Sequence, residues 1–269
     1  MSWWGKVIGS TLGFVLVGPL GALLGGALGH SFDKGLKGLD TTSFSVGGAD
    51  QERIQAAFFT ATFSVMGRVA KSDGIVSAIE IQVARQTMDK MQLNEEQKKA
   101  AINLFNQGKE ADFDLQSVLE QFRHECGRRT DLLRIFMEIQ LSTALADNEL
   151  HPEEQKLLLS VAELLGFKRR HFEELLAMMT AQRRYAQFGG KHPSEKTEKQ
   201  IIEQAYQILG MTSDCSDAEL KKAYRRLISQ HHPDKLVSKG LPEEMMKIAT
   251  EKTREIKDAY EQIKNYRTK

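Results

Sequence analysis

The sequence predicts an all-α protein: a membrane-anchoring helix at the N-terminus, then polar helical domains. Three observations lead there. The first thirty residues are almost wholly apolar, although the mean hydropathy of the whole chain is −0.39. From Arg53 onward, apolar residues recur at helical spacing between short turn signals such as Ser72-Asp73-Gly74 and Leu165-Gly166. The middle of the chain also repeats itself at a fixed offset. Composition agrees: 269 residues, 41% hydrophobic and 27% charged, describe a globular chain. A net charge of +1 excludes a bulk polycation that coats nucleic acid, and equally an acidic tail. Two cysteines, Cys126 and Cys215, exclude a disulfide scaffold and a four-cysteine zinc module.

The anchor comes first. Val7 to Gly29 are 23 uncharged residues. As a helix they reach about 34 Å, enough for a hydrocarbon core of about 30 Å. A transmembrane helix is therefore expected over residues 7–30, with residues 1–6 outside it and a linker over 31–52. Trp3 and Trp4 sit where an interfacial aromatic belt would lie. Lys6 precedes the span, while Lys34, Lys37 and Arg53 follow it, a bias that directs the C-terminal bulk to the cytoplasm. A cleaved signal peptide is the alternative, with Ala27-Leu28-Gly29 as its cleavage site. The length of the apolar run and its single basic residue argue against that. Gly5, Gly9, Gly13, Gly21, Gly25 and Gly29 share one register of spacing four, broken only at Val17. Such a ridge lets a second helix approach closely in lipid, so self-association through the anchor is expected.

Residues 53–186 read as a helical domain with an internal repeat. Val69 to Glu80 lies over Thr143 to Glu154, an offset of 74 residues, and the register continues through Met91 over Leu165 and Phe105 over Met179. Ser77 and Glu80 fit a capping box, and Pro152 suits a first helical turn. Asp73, Glu80, Asp147 and Glu154 recur at matching places. They could hold a metal between the halves; turn formation and helix capping are the other reading, and neither turn alternates ligands as a calcium loop does. The paired strings KSDGIVSAIE and LADNELHPEE make this stretch resemble the TerB-like helical domain associated with tellurite resistance.

A second linker is expected over 187–200, then a helical module over 201–269. Ser216 and Glu219 form a capping box at the head of an amphipathic helix. Leu220, Ala223, Tyr224, Leu227 and His231 share its inner face, and Lys221, Lys222, Arg225 and Arg226 its outer face. The proline of His232-Pro233-Asp234 should end that helix. A loop is expected through Gly240, then a helix opened by Pro242 with Met246, Ala249, Ile256, Ala259, Tyr260 and Ile263 facing inward. The two long helices must run antiparallel, with His-Pro-Asp at the tip between them.

AYQILGM, SDAELKKAYRRLISQHHPDK and REIKDAYEQI together resemble the J-domain of the DnaJ/Hsp40 co-chaperones. That resemblance implies an Hsp70 partner, DnaK in bacteria, whose ATPase the module stimulates. Lys221, Lys222, Arg225 and Arg226 would meet an acidic partner surface. Asp234 would offer its carboxylate to an arginine, Pro233 would fix the turn, and His232 would give a directional contact. The chain would then be no enzyme and need no cofactor. Nucleic-acid binding is not expected, since 201–269 carries thirteen basic against eleven acidic residues and no aromatic platform among the cations. No glycine/phenylalanine stretch or Cys-x-x-Cys repeat follows the module, so a regulatory role is expected rather than general client delivery. Its loop from Leu236 to Pro242 is also longer than the family's usual one. The whole order, with WWGKVIG, GHSFDK, HHPDKLVSKGLPEEMMK and MMTAQRRYAQFGG, resembles membrane-anchored DnaJ-like co-chaperones of the Gram-negative inner membrane. It implies a single-pass type III homodimer with a part in envelope signalling that controls capsular polysaccharide. The alternative is a membrane-anchored helical adaptor, or a metal-sensing TerB-like protein, in which the J-domain is secondary.

Overall fold

The computed structural model describes residues 19–28, 46–72, 74, 76, 78–145, 150–188, 195–242 and 245–268. These form α-helices with no strand among the described residues. In chain order they are α1 (Pro19–Leu28), α2 (Val46–Ala70), α3 (Ala78–Lys90), α4 (Glu95–Gly108), α5 (Leu115–Cys126) and α6 (Thr130–Ala144). There follow α7 (Pro152–Leu164), α8 (Arg169–Phe188), α9 (Glu195–Ile208), α10 (Asp217–His231), α11 (Pro233–Ser238) and α12 (Met246–Arg267).

Helix α2 is the axis of the bundle. From Ile54 to Gly67 every residue is buried, so α2 is enclosed on all sides rather than amphipathic. Phe58 meets Phe122 of α5 and Phe136 of α6 edge-on, at 5.8 and 6.3 Å between ring centroids. Ser64 Oγ donates to the Thr60 carbonyl at 2.8 Å and Gln140 Nε2 of α6 donates to the Thr62 carbonyl at 3.0 Å, whereas the buried Thr60 and Thr62 hydroxyls have no partner among the described residues.

The repeat is visible in the element boundaries. α3 and α7 begin at 78 and 152, α4 and α8 at 95 and 169, and both offsets are 74. Pro152 opens α7 as expected, and the Glu154 carboxylate accepts the His151 amide at 3.0 Å. The break between α5 and α6 was not foreseen. It falls at Gly127, whose φ of 56° is left-handed.

The C-terminal module has its own core, where Ile202, Tyr206 and Leu209 of the α9 segment pack with Leu220 and Leu227 of α10 and Ile256, Ala259 and Ile263 of α12. Tyr224 and Tyr260 stack across α10 and α12 at 4.3 Å. Four expectations need correction. The segment expected as a loop after His232 contains the short helix α11, because proline at a first helical position loses no hydrogen bond. α12 starts at Met246 rather than Pro242, and Met246 is 44% exposed rather than inward. α8 runs to Phe188 and α9 starts at Glu195, inside the expected 187–200 linker. α2 starts at Val46, inside the expected 31–52 linker.

Of the expected membrane span only α1 is described. Pro19 is its first residue, Leu20 and Leu24 are buried in the bundle core, and the Leu20 amide donates to Gln121 Oε1 at 2.9 Å. Among the described residues no helix is long and apolar enough to cross a membrane.

Candidate functional site

Ser216 caps α10 as expected: Glu219 accepts the Ser216 amide at 2.8 Å, and the Glu219 amide donates to Ser216 Oγ at 3.3 Å. This sets the rotation of α10. Leu220, Ala223 and Leu227 face the core, while Lys221, Lys222, Arg225 and Arg226 all stand exposed. Four cations thus line one solvent face within six residues. None of them forms an ion pair with another described residue.

α10 ends at His231. His232 is extended, with φ −62° and ψ 122°, because the following proline ring clashes with helical geometry. Pro233 then starts α11 at once. The chain turns sharply at one residue, and the corner displays His232 and Asp234 beside the basic face. The Asp234 side chain is 85% exposed, and its Oδ2 lies 4.0 Å from His232 Nδ1. That nitrogen has no hydrogen-bond partner among the described residues. Lys235 folds back to donate to Ser229 Oγ at 2.7 Å, which ties α11 to α10. The corner therefore presents an open carboxylate and a row of cations, both suited to docking rather than bond-making, while the unpartnered His232 Nδ1 is itself buried.

The sequence reading put His231 on the inner face of α10 and missed what it meets. His231 is fully buried, and its Nε2 lies 3.0 and 3.1 Å from the two carboxylate oxygens of Glu138 on α6. Arg134 Nε reaches the same carboxylate at 3.1 Å and Lys252 Nζ approaches it at 3.9 Å. Lys252 also donates to Gln182. Burial pushes the Glu138 carboxyl upward. The charges of His231 and Lys252, the hydrogen bond from His231 and the charge of Arg134 outweigh that and hold it well below the usual carboxylate range. Further along α6, Asp131 pairs with Lys239. The available signal was a charged residue every three or four positions along an otherwise apolar helix.

The other expected sites fare unequally. Asp73 and Asp147 lie outside the described residues, as does the side chain of Glu80; Glu154 is taken up in capping α7. Among the described residues no three histidine, cysteine or carboxylate side chains cluster as metal ligands do. Gly21 and Gly25 fall within α1, whereas Gly5, Gly9, Gly13 and Gly29 lie outside the described residues. Ser77, the expected cap of α3, lies outside them too. Burial pushes the Cys126 thiol up to about 12, which removes it as a nucleophile at neutral pH.

Comparison with known proteins matches this division of the chain. Residues 1–39 match the family model described as the co-chaperone DjlA transmembrane domain, 59–177 that of tellurite resistance protein TerB, and 204–269 the DnaJ domain. The co-chaperone protein DjlA of Coxiella burnetii is 44% identical, over 100% of this chain and 99% of its own. Those of Yersinia pseudotuberculosis and Escherichia coli are 42% and 41% identical, over 98% of both chains in each case. No solved structure matches. With three such relatives matched end to end, and the His-Pro-Asp corner and basic helix in place, the chain belongs to the DjlA family of membrane-anchored J-domain co-chaperones.

Proposed function

We propose that this chain is a regulatory co-chaperone that binds an Hsp70, DnaK in bacteria, and stimulates its ATPase at the inner membrane. The observation that carries this reading is the corner at His232-Pro233-Asp234, open to solvent beside the exposed cations of α10. The cations steer an acidic partner surface and Asp234 anchors to an arginine there. Binding of this kind selects the Hsp70 conformation that hydrolyses its own ATP. The chain itself performs no chemistry.

Three further parts belong to the same reading. The apolar 7–30 segment crosses the inner membrane once with its N-terminus outside, since an ATP-dependent partner requires a cytoplasmic J-domain; Leu20 and Leu24 of α1 then exchange the bundle core for lipid. The glycine ridge pairs two copies. Work at the envelope, linked to capsular polysaccharide, is what the family resemblance implies.

The test uses the full chain, because the module is not independent of the bundle: Leu236, Leu241, Met245 and Ala249 are buried in the bundle core. Full-length protein in lipid nanodiscs should raise the single-turnover ATPase of DnaK. Asp234→Asn should abolish the increase and leave helix content unchanged, since the residue touches no core. An unstimulated DnaK with the wild-type chain would sink the reading.

A further inference from the structure

We propose that Glu138 of the TerB-like bundle is a positioning residue for the His232-Pro233-Asp234 corner, so that the bundle sets how well the J-domain acts on its partner. The inference rests on the co-chaperone reading above.

His231 immediately precedes the corner. Its Nδ1 faces the Leu227 carbonyl at 2.9 Å, and its Nε2 faces the Glu138 carboxylate at 3.0 and 3.1 Å. Carbonyl and carboxylate oxygens only accept, so both ring nitrogens must donate, and only the imidazolium does that. A cation with no solvent access needs a counter-charge, and Glu138 supplies it. The ring is thereby held at both ends. The backbone is held as well, because Thr253 Oγ1 of α12 shares its proton between the His231 carbonyl at 2.9 Å and the Ala249 carbonyl of its own helix at 2.8 Å. Beyond the corner, Lys239 pairs with Asp131, and Gln51 Nε2 of α2 donates to the Val237 carbonyl at 3.2 Å. Leu236 and Leu241 sink fully into the bundle core. The unusually long Leu236–Pro242 segment is thus where the module seats itself.

Asp131, Arg134 and Glu138 are spaced three and four apart, so they share one face of α6. They meet Lys239, Gln230 and His231 respectively. One helix of the bundle therefore grips the chain on both sides of the corner. The grip does not mask it: Lys221, Lys222, Arg225, Arg226 and Asp234 stay exposed in the docked state. An autoinhibitory contact would have covered that surface. A buried ion pair is also a poor source of net stability beside the apolar contacts around it, so its value here lies in orienting the His231 ring. This arrangement fits positioning.

The experiment compares wild type, Glu138→Gln, Glu138→Asp and Asp131→Asn as full chains in nanodiscs. Two readouts are taken: amide exchange over residues 231–239, and single-turnover DnaK ATPase across a range of co-chaperone concentrations. Glu138→Gln should speed exchange over that segment and lower maximal stimulation about tenfold. Its half-saturating concentration should stay within about twofold of wild type, because the basic face is untouched. Glu138→Asp should restore part of the maximum. Asp131→Asn, at a partly exposed tether, should move both readouts the same way by less. This keeps the test sound if Glu138→Gln folds poorly. Stimulation by wild type that Glu138→Gln matches would overturn the inference alone. A raised half-saturation at unchanged maximum would also overturn it, placing the cluster in binding. Absence of stimulation by wild type would overturn the co-chaperone reading and this inference with it.

Discussion

In the first half of the bundle, α2 and α4 meet backbone to backbone; in the second, the matching positions of α6 and α8 carry side chains, and Lys252 of the J-domain reaches both helices. The positions correspond at the 74-residue offset: Ser64, Gly67, Phe105 and Gly108 against Glu138, Leu141, Met179 and Gln182. A Cβ added to Gly67 would run into the Phe105 carbonyl, and one added to Gly108 into the Ser64 carbonyl. Those glycines close the first crossing completely. In the second half those positions carry leucine and glutamine, and Lys252 of the J-domain reaches in between the two helices. Glu138, Met179 and Gln182 are the residues that receive Lys252. One helical plan thus yields a sealed crossing or a docking seat, according to whether two positions carry side chains.

The largest expected effect comes from erasing that difference. Gly108→Gln installs the residue of the second half in the first, where the obstacle is backbone that cannot rotate away. The loss should be about 4 kcal/mol, at the upper end for overpacking. Denaturant unfolding of the full chain at constant slope is the measurement. The converse change, Gln182→Gly, puts glycine inside α8 and removes an acceptor of the buried Lys252 ammonium, and should cost about 2 kcal/mol. Equal effects from the two substitutions would show that the crossings do not differ as described.

The second expected effect concerns charge at the seat. With its pKa held below the unfolded value of 4.5, Glu138 stabilises the fold fully above that pH and loses the contribution as pH falls further, through its folded pKa. Glu138→Gln leaves the buried cations of His231 and Lys252 unpaired, at a cost of about 3 kcal/mol at neutral pH. Below pH 4.5 that difference should narrow steadily, because the unfolded wild type then takes up a proton that folded Glu138 does not bind. Other carboxylates, among them Asp114, Asp214 and Glu219, are common to both proteins and cancel. Unfolding midpoints at pH 7, 5, 4 and 3 decide it. A constant gap would mean that Glu138 is not ionised in the folded protein.

The contrast also explains what could be read from residues alone. Local signals sufficed for the Ser216 cap, for Pro152 at the head of α7, for the end of α10 before Pro233 and for the repeat, because each is decided within a few residues of chain. The inward direction of His231 followed from its position on the face of Leu220 and Leu227. Its partner did not, since Glu138 lies 93 residues away. Glu138 also sits among Phe136, Met137 and Ile139, all buried, where a carboxylate reads as an isolated interruption. Helix α11 was hidden because proline signals a break and a first helical turn alike. The separateness suggested by the glycine-rich stretch around residue 190 did not reveal that Leu236 and Leu241 belong to another core.

The smallest expected effect tests the correspondence of the halves at a turn. Gln92 has φ 53°, the only non-glycine residue with positive φ among those described, and its counterpart 74 residues on is Gly166, with φ 89°. Both close a helix in the same way. Leu93 donates to the Met88 carbonyl at 3.2 Å and Phe167 to the Ala162 carbonyl at 2.9 Å, each bond spanning the reversed residue. A side chain in left-handed geometry costs about 1–2 kcal/mol. Glycine avoids that cost but loses roughly 0.5–1 kcal/mol in backbone entropy. Gln92 is exposed, so its side chain contributes no packing that glycine would forfeit. Gln92→Gly should therefore stabilise the chain by about 0.5 kcal/mol, the residue of those opposing effects. The reverse change, Gly166→Gln, should destabilise by more, because a Cβ there also presses on the Arg123 guanidinium, which donates to the Leu164 carbonyl at 3.1 Å. Denaturant midpoints of the two variants read both signs. A destabilised Gln92→Gly would mean that Gln92 gains from its own side chain something that Gly166 does without, and the two turns would not be equivalent.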